Sequence, residues 1–360
     1  MSPTRGDIGT AKPFVRHLHA FRGFAILNIV GAHAWSGQVR AFGGTHHSTG
    51  VTLLTAVSEP VFHDSTLYFA LISGLLFSLV LQSRGWSAFY SSRLANVISP
   101  YVVMTLLFTW YGLDRNGRLS AFEGNGADYL AAVSGNLWTG GAFYHLWYIP
   151  ILAILYLATP VMTWLLAHAG TRWLVWLVML APLAASRTFP DFSWATPVYF
   201  LGAYTVGMYV GRRYERSLET FHRYWALLVI AALMTTTALV AAYLLDYDTF
   251  GPVSGREALF YVQKLAIAAV VLVGFHANEQ RLPRWLDTLA TFAFSIYFLH
   301  AIVLIMLEEE LTRLALEPTA ARWMAVTGLV FLIVSIAAAV LVSALLRRAF
   351  GKRSRMLLGA

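Results

Sequence analysis

The sequence has no cysteine. That excludes disulfides, thiolate nucleophiles and cysteine-ligated zinc. It is also poor in charge: Asp, Glu, Lys and Arg make up 12% of its 360 residues, against about 25% in soluble domains. Acidic side chains are the scarcer sign, 18 against 26 basic, for a formal net charge of +8. Such a balance can signal nucleic acid, but no basic run is interleaved with aromatics that would stack bases. Lysines and arginines gathered in the cytoplasmic loops of a membrane protein explain the excess better. No internal repeat of the kind many transporters carry is evident, and no soluble domain is expected at either end.

What is abundant is apolar residues, 58% of the chain. Runs of about 15 to 25 apolar residues, long enough to span a bilayer as helices, fall at 18–39, 64–83, 97–113, 145–168, 173–187, 195–211, 224–245, 258–276, 287–307 and 322–346. The fifth is the shortest and contains Pro182. With the N-terminus inside, the inner segments and tail hold 17 Lys and Arg and the outer loops hold 7. That asymmetry puts both termini in the cytoplasm, which requires an even number of spans, as ten is. The expected fold is all-α: a polytopic membrane helix bundle of about ten spans, with a cytoplasmic segment 1–17, a membrane domain 18–346 and a basic cytoplasmic tail 347–360. In the long outer loop 114–144, Asn116, Gly117, Gly124, Asn125 and Gly126 read as turns. The run Glu308, Glu309, Glu310 reads as a solvated helix end.

Ionisable groups inside spans cost about 2.5 to 3.5 kcal/mol each on insertion scales and are functional candidates by default. The first span, HAFRGFAILNIVGAHAW, carries Arg22 and His33 eleven residues apart. That separation is about three helical turns, so both leave one face, roughly 16 Å apart along the axis. The bland alternatives are snorkelling of Arg22 to lipid phosphates and a satisfied helix-contact role for His33. Ala32-His33-Ala34 also has the small-residue spacing of a signal-cleavage site, but Arg22 and Asn28 interrupt the apolar run, and the segment is read as retained. His63 and Asp64 open the second span from outside, His145 opens the fourth, and His300 lies late in the ninth, so all fall in the outer half with His33. Imidazoles grouped at one depth suit acid–base chemistry near neutral pH. On the inner side, Arg22 and Arg93, with Arg84 close by, form a basic group able to hold a phosphorylated ligand; Arg84 reads better as a positive-inside charge. Lys264 is a further buried cation for which Asp246, Asp248 or Glu257 would be a partner.

These residues resemble the integral-membrane acyltransferase 3 proteins. HAFRGFAILNIVGAHAW is similar to the family's first-span pattern of Arg followed eleven residues later by His. STLYFALISGLLFSLVL resembles its second span, FYSSRLANVISPY its basic stretch, HLWYIPILAILYLATP its His-Leu-Trp segment, YFLGAYTVGMYVGRR its sixth span and SIYFLHAIVL its Ser-x-Tyr-x-x-His ending. Each motif is weak alone, but the six occur in the expected order. Asn96 stands where a second Arg is usual, and Tyr68-Phe69-Ala70-Leu71 where Phe-Phe-Val is typical. No esterase-like outer domain is seen after the tenth segment, so acceptor recognition is expected in the bundle, its outer loops or an extracytoplasmic partner protein.

The resemblance implies a membrane O-acyltransferase of the bacterial cytoplasmic (inner) membrane. It would move an acyl group, most often acetyl, from cytoplasmic acyl-CoA to a hydroxyl of an extracytoplasmic or lipid-linked glycan. Acyl-CoA would be a co-substrate; no bound cofactor, metal or nucleic acid is expected. His33 would be the general base or carry the acyl group covalently. Arg22 and Arg93 would hold the donor's phosphates, with Arg22 also serving the chemistry. His145, Tyr297 and His300, supported by His63 and Asp64, would line the acceptor side. The rival reading is a proton-coupled exporter or flippase with Arg22, His33, His300 and Lys264 as its relay. It calls for paired broken helices, which the sequence does not display. A non-catalytic scaffold would leave the polar residues in the spans unexplained.

Overall fold

A computed structural model of the chain describes residues 15–44, 48–114, 116–187, 193–250 and 253–359. The expected cytoplasmic segment 1–17 lies almost wholly outside the described residues. The chain is all-α apart from two small hairpins. It begins with α1 (Arg16–Phe42), α2 (Thr49–Phe62), α3 (Thr66–Leu76), α4 (Trp86–Arg93) and α5 (Ser99–Trp110). π-helical turns over Phe77–Leu81 and Leu94–Ile98 follow α3 and α4. Strands β1 (Tyr111–Leu113) and β2 (Leu119–Ala121) pair antiparallel and lead to α6 (Gly126–Thr139), α7 (Tyr148–Ala167) and α8 (Arg172–Leu180). Then come α9 (Ala195–Arg212), α10 (Tyr214–Arg223), α11 (Trp225–Leu244) and the short hairpin β3 (Thr249–Phe250) and β4 (Val253–Ser254). The chain finishes with α12 (Gly255–Ala277), α13 (Arg284–Thr291), α14 (Ala293–Arg313), α15 (Ala321–Phe350) and α16 (Ser354–Leu358).

Helix α1 lies inside the bundle, packed against α2, α3, α12, α13, α14 and α15. Buried residues face most of its circumference, among them Leu18, Phe21, Ala25, Ile26, Ile29 and Val30. Its polar residues therefore meet protein rather than lipid, which is how a span can carry ionisable groups. Helices α3 and α9 touch through glycine. A Cβ on Gly74 would lie 2.1 Å from the Tyr204 carbonyl oxygen, and one on Gly207 2.0 Å from that of Leu71. Only glycine permits this approach, the packing device of membrane helix pairs.

Each of the ten expected apolar segments folds at least partly as helix, but length and composition allow fewer crossings. Among the described residues, five stretches are long and apolar enough to cross a membrane: Thr49–Arg84, Tyr148–Ala167, Trp225–Leu244, Gly255–Ala277 and Ala321–Phe350. Counting α13 and α14 as one crossing makes six; the pair is bent by 81°. Helix α8 has nine residues, only about 14 Å at 1.5 Å per residue. It ends in a tight turn over Ala181–Leu183 that buries Pro182.

Two expectations change here. His63 and Asp64 directly precede α3, as a start of the second span would, but they do so in a break within a longer helical stretch, Thr49–Arg84. Asp64 adopts a left-handed backbone (φ 56°), which halts α2 and redirects the chain into α3. Broken helices are thus present, at 63–65 and between α13 and α14, where the sequence displayed none. The long loop 114–144 is also more ordered than its turns suggest. It forms the first hairpin and α6, whose N-terminus is closed by a reciprocal capping box of Asn125 and Asp128.

Candidate active site

Arg22 and His33 leave α1 into two different cavities. The one reached by His33, called outer after the expected orientation and the other inner, is about 210 Å³. It is bounded by His33 with Ile29 and Ala32, by the break residues His63, Asp64, Ser65 and Thr66, and by His145, Trp147, Arg187 and Tyr297. The inner one, about 450 Å³, takes in His19 and Arg22 from α1, Arg93 and Asn96, Phe69, Ser73 and Leu76, Thr291 and Phe294, Arg347 and Arg355.

Three imidazoles form a chain at the outer cavity. The His33 ring lies 5.3 Å from that of His300, which lies 5.0 Å from that of His145. His300 Nδ1 is 2.9 Å from the Ile296 carbonyl oxygen, a bond it can make only as donor. Neutral His300 therefore keeps its proton on Nδ1 and offers Nε2 as an acceptor. That Nε2 and both ring nitrogens of His145 are buried without a hydrogen-bond partner among the described residues. Unpaired buried polar atoms are costly in a stable interior, and they gather here beside His33. The Tyr297 hydroxyl donates to the His145 carbonyl oxygen, tying α14 to the segment before α7. The edge of Tyr144 closes on His33 at 5.2 Å, with the Arg40 guanidinium over its ring.

The other wall is an ion-pair network. Arg187 donates to both Asp64 carboxylate oxygens, from Nη1 at 2.9 Å and Nη2 at 2.7 Å. Its Nε and main-chain N–H each donate to Glu257 at 2.8 Å. The Tyr199 hydroxyl bridges Asp64 Oδ2 and the Glu257 carbonyl oxygen, while its ring stacks 4.1 Å beneath the guanidinium. His63 pairs with Glu59 at 2.9 Å and has its other nitrogen 3.7 Å from Asp64. The network pins the helix break, and with it the N-terminus of α3, at the cavity wall.

The inner cavity is basic. Arg22, Arg93, Arg347 and Arg355 all line it, and none has an ion-pair partner among the described residues. The Arg93 guanidinium lies over Phe89 and Tyr156 at 5.4 and 5.2 Å. The two cavities come close together. On α3, Thr66 borders the outer and Phe69 the inner; on α14, Tyr297 borders the outer and Phe294 the inner. Three residues are about 4.5 Å of helix. The Phe69 and Phe294 rings, 6.3 Å apart, stand at this partition.

A family model described as an acyltransferase domain matches residues 15–348. The chain belongs to the acyltransferase 3 family. No curated protein and no solved structure matches it significantly. The match runs from α1 to near the end of α15 and takes in every residue lining the two cavities of this membrane acyltransferase except Arg355 and Gly359.

Of the expected site residues, His33, His63, Asp64, His145 and Tyr297 share one cavity, and His300 packs behind His33 and His145. Arg22 and Arg93 share the other, which Arg84 does not line. Three features escaped the sequence. Arg187 looked like one of seven outer-loop charges, yet its side chain is 1% exposed and organises the outer wall. Arg347 and Arg355 looked like tail charges. Lys264 has no carboxylate partner among the described residues: Nζ donates to the carbonyls of Pro60 and Val61 at 3.2 and 3.0 Å, capping the C-terminus of α2. Glu257 pairs with Arg187, and Asp246 and Asp248 with Arg256. The acidic run is likewise not merely solvated, since Glu309 accepts from the Leu119 N–H at 2.6 Å.

Among the described residues one cluster, His17, His276 and Glu279, has donor atoms within 4.8 Å of one another, as a metal site would. It borders neither cavity. Both His17 nitrogens already meet protein, at Glu279 (3.0 Å) and the Tyr214 hydroxyl (2.6 Å).

Proposed function

We propose that the protein carries an acyl group, acetyl in the first instance, from acyl-CoA in the inner cavity to a hydroxyl of an extracytoplasmic or lipid-linked glycan at the outer one. One observation carries this reading: two cavities of opposite chemistry, basic and imidazole-lined, approach to within one helical turn beside a single buried helix. The guanidinium groups of Arg22, Arg93, Arg347 and Arg355 suit the phosphates of coenzyme A. They leave the thioester arm to reach past Phe69 and Phe294.

In this reading a neutral His33 takes the proton of the acceptor hydroxyl as its oxygen attacks the thioester carbonyl. A C–O bond forms, the C–S bond breaks, and the coenzyme A thiolate leaves with that proton. The N-terminus of α3, opening on the cavity at Ser65 and Thr66, supplies the positive end of a helix dipole for the developing oxyanion. His300 Nε2, unpaired here and beside His33, is the acceptor to which a small turn of the His33 ring would direct its N–H, fixing the tautomer. The inner cavity and both termini face the cytoplasm of a bacterial inner membrane, and the helices that fail a hydropathy test cross it shielded by their neighbours.

The broken rod at 63–65 is also a device of exporters, but membership of an acyltransferase family favours transfer. The test is purified protein with radiolabelled acetyl-CoA and a panel of glycan acceptors. Wild type should label a glycan and His33→Ala should not. A pH-gradient-driven solute flux with no acylated product would support the exporter instead.

A further inference from the structure

We propose that the cleft where α8 and α9 meet α11 and α12 binds an anionic diacyl phospholipid. Its phosphate would sit on Arg172, Arg212 and Arg213, with an acyl chain in the adjoining apolar groove. The argument is independent of the acyl-transfer reading.

Two cavities outside the candidate active site adjoin there. One, of about 240 Å³, is lined by the three arginines together with Tyr209 and Trp176. The other, of about 380 Å³, is almost wholly apolar and is lined by Met179, Leu180, Val206, Val210, Leu228 and Leu265 among others. Trp176 borders both, its ring 5.7 Å from that of Tyr209. Tryptophan and tyrosine favour headgroup depth in a membrane.

The two walls match in polarity. Along α8 the order is Arg172, Trp176, Leu180, at steps of four residues on one face. Along α9, Val206 and Val210 lead to Arg213. The helices carry their cations at the same end and their apolar residues beyond it. That is the distribution of an amphiphile with an anionic head. No ion pair neutralises the three arginines among the described residues, and guanidinium is the cation best suited to phosphate oxygens. The groove exists because α8 is short and α11 packs at the edge of the bundle, on α12 and α2, with Leu239 its one buried residue. In a bilayer a lipid chain is the apolar body available to fill it, and basic pockets between membrane helices are established binders of anionic headgroups.

The test is thermal unfolding of purified protein in an uncharged detergent, titrated with phosphatidylglycerol, phosphatidylcholine of the same chains, or glycerol phosphate. Phosphatidylglycerol should raise the midpoint, and Arg172→Ala/Arg212→Ala/Arg213→Ala should weaken its half-saturation by roughly tenfold or more. Arg84→Ala, exposed and outside the cleft, should respond as wild type. If the triple variant does not fold, Val206→Trp, which fills the groove and keeps every arginine, should abolish the response. Equal stabilisation by phosphatidylcholine, an equal effect of glycerol phosphate, or an undiminished response in both variants would overturn the proposal.

Discussion

Phe294 and Tyr297 stand one turn apart on α14 and border opposite cavities, the basic one and the imidazole-lined one. Thr66 and Phe69 repeat the relationship on α3. The proposed transfer needs a short gap of this kind, because an acyl group on a CoA arm would have to reach a hydroxyl that the arginines do not touch.

Narrowing that gap should uncouple binding from chemistry. Phe294 is half-buried, so Phe294→Trp has room to fold. It should lower kcat about tenfold or more while the Kd for acyl-CoA stays within roughly threefold. Equilibrium binding and steady-state rates on one preparation check this.

The inner arginines should act on donor affinity. Charge-assisted hydrogen bonds contribute about 1.5 to 3 kcal/mol. Arg93→Ala or Arg355→Ala should therefore weaken coenzyme A binding by roughly 10- to 100-fold, the more so at low salt. Arg84→Ala should leave it unchanged. Isothermal titration with coenzyme A distinguishes the cases.

Breaking the Asp64–Arg187 pair should cost stability as well as rate. Both side chains are nearly inaccessible, 5% and 1% exposed. Removing Asp64 leaves the buried guanidinium with Glu257 alone, so the cost should approach but not reach the ~3 to 5 kcal/mol of a fully unpaired buried charge. Asp64→Ala should lower the unfolding midpoint clearly. Arg187→Lys, which keeps the charge and loses the two-pronged contact, should fall between it and wild type in both midpoint and kcat.

His300 touches the proposed base rather than the acceptor, so it is a positioning residue. His300→Ala should reduce kcat by about 10- to 100-fold with little change in KM, and should alter the pH profile of kcat. His33→Ala should abolish transfer. Parallel pH–rate profiles of wild type and His300→Ala provide the check.

The helices were legible because apolar runs of span length have few other folds open to them. The ion-bearing face of α1 was legible because an eleven-residue interval returns to one face. The break at His63-Asp64 was not: it depends on Asp64 taking a left-handed backbone and on Lys264 capping α2 from 203 and 204 residues away in sequence. Arg187, Arg347 and Arg355 were counted correctly as charges, but a count for orientation says nothing of which fold back into a cavity. Neither α1 nor α9 is apolar enough over 18 residues to count as a crossing by composition, and both bury polar atoms against protein.

The most direct measurement of the central claim is a sided assay in proteoliposomes of known orientation. Labelled acetyl-CoA is supplied on one face only, and product is sought on the other. The account predicts acylated glycan on the face of His33 when donor is given on the face of Arg22 and the C-terminal α16, and none from His33→Ala. Product formed only when donor and acceptor share a face, or undiminished transfer by His33→Ala, would contradict it.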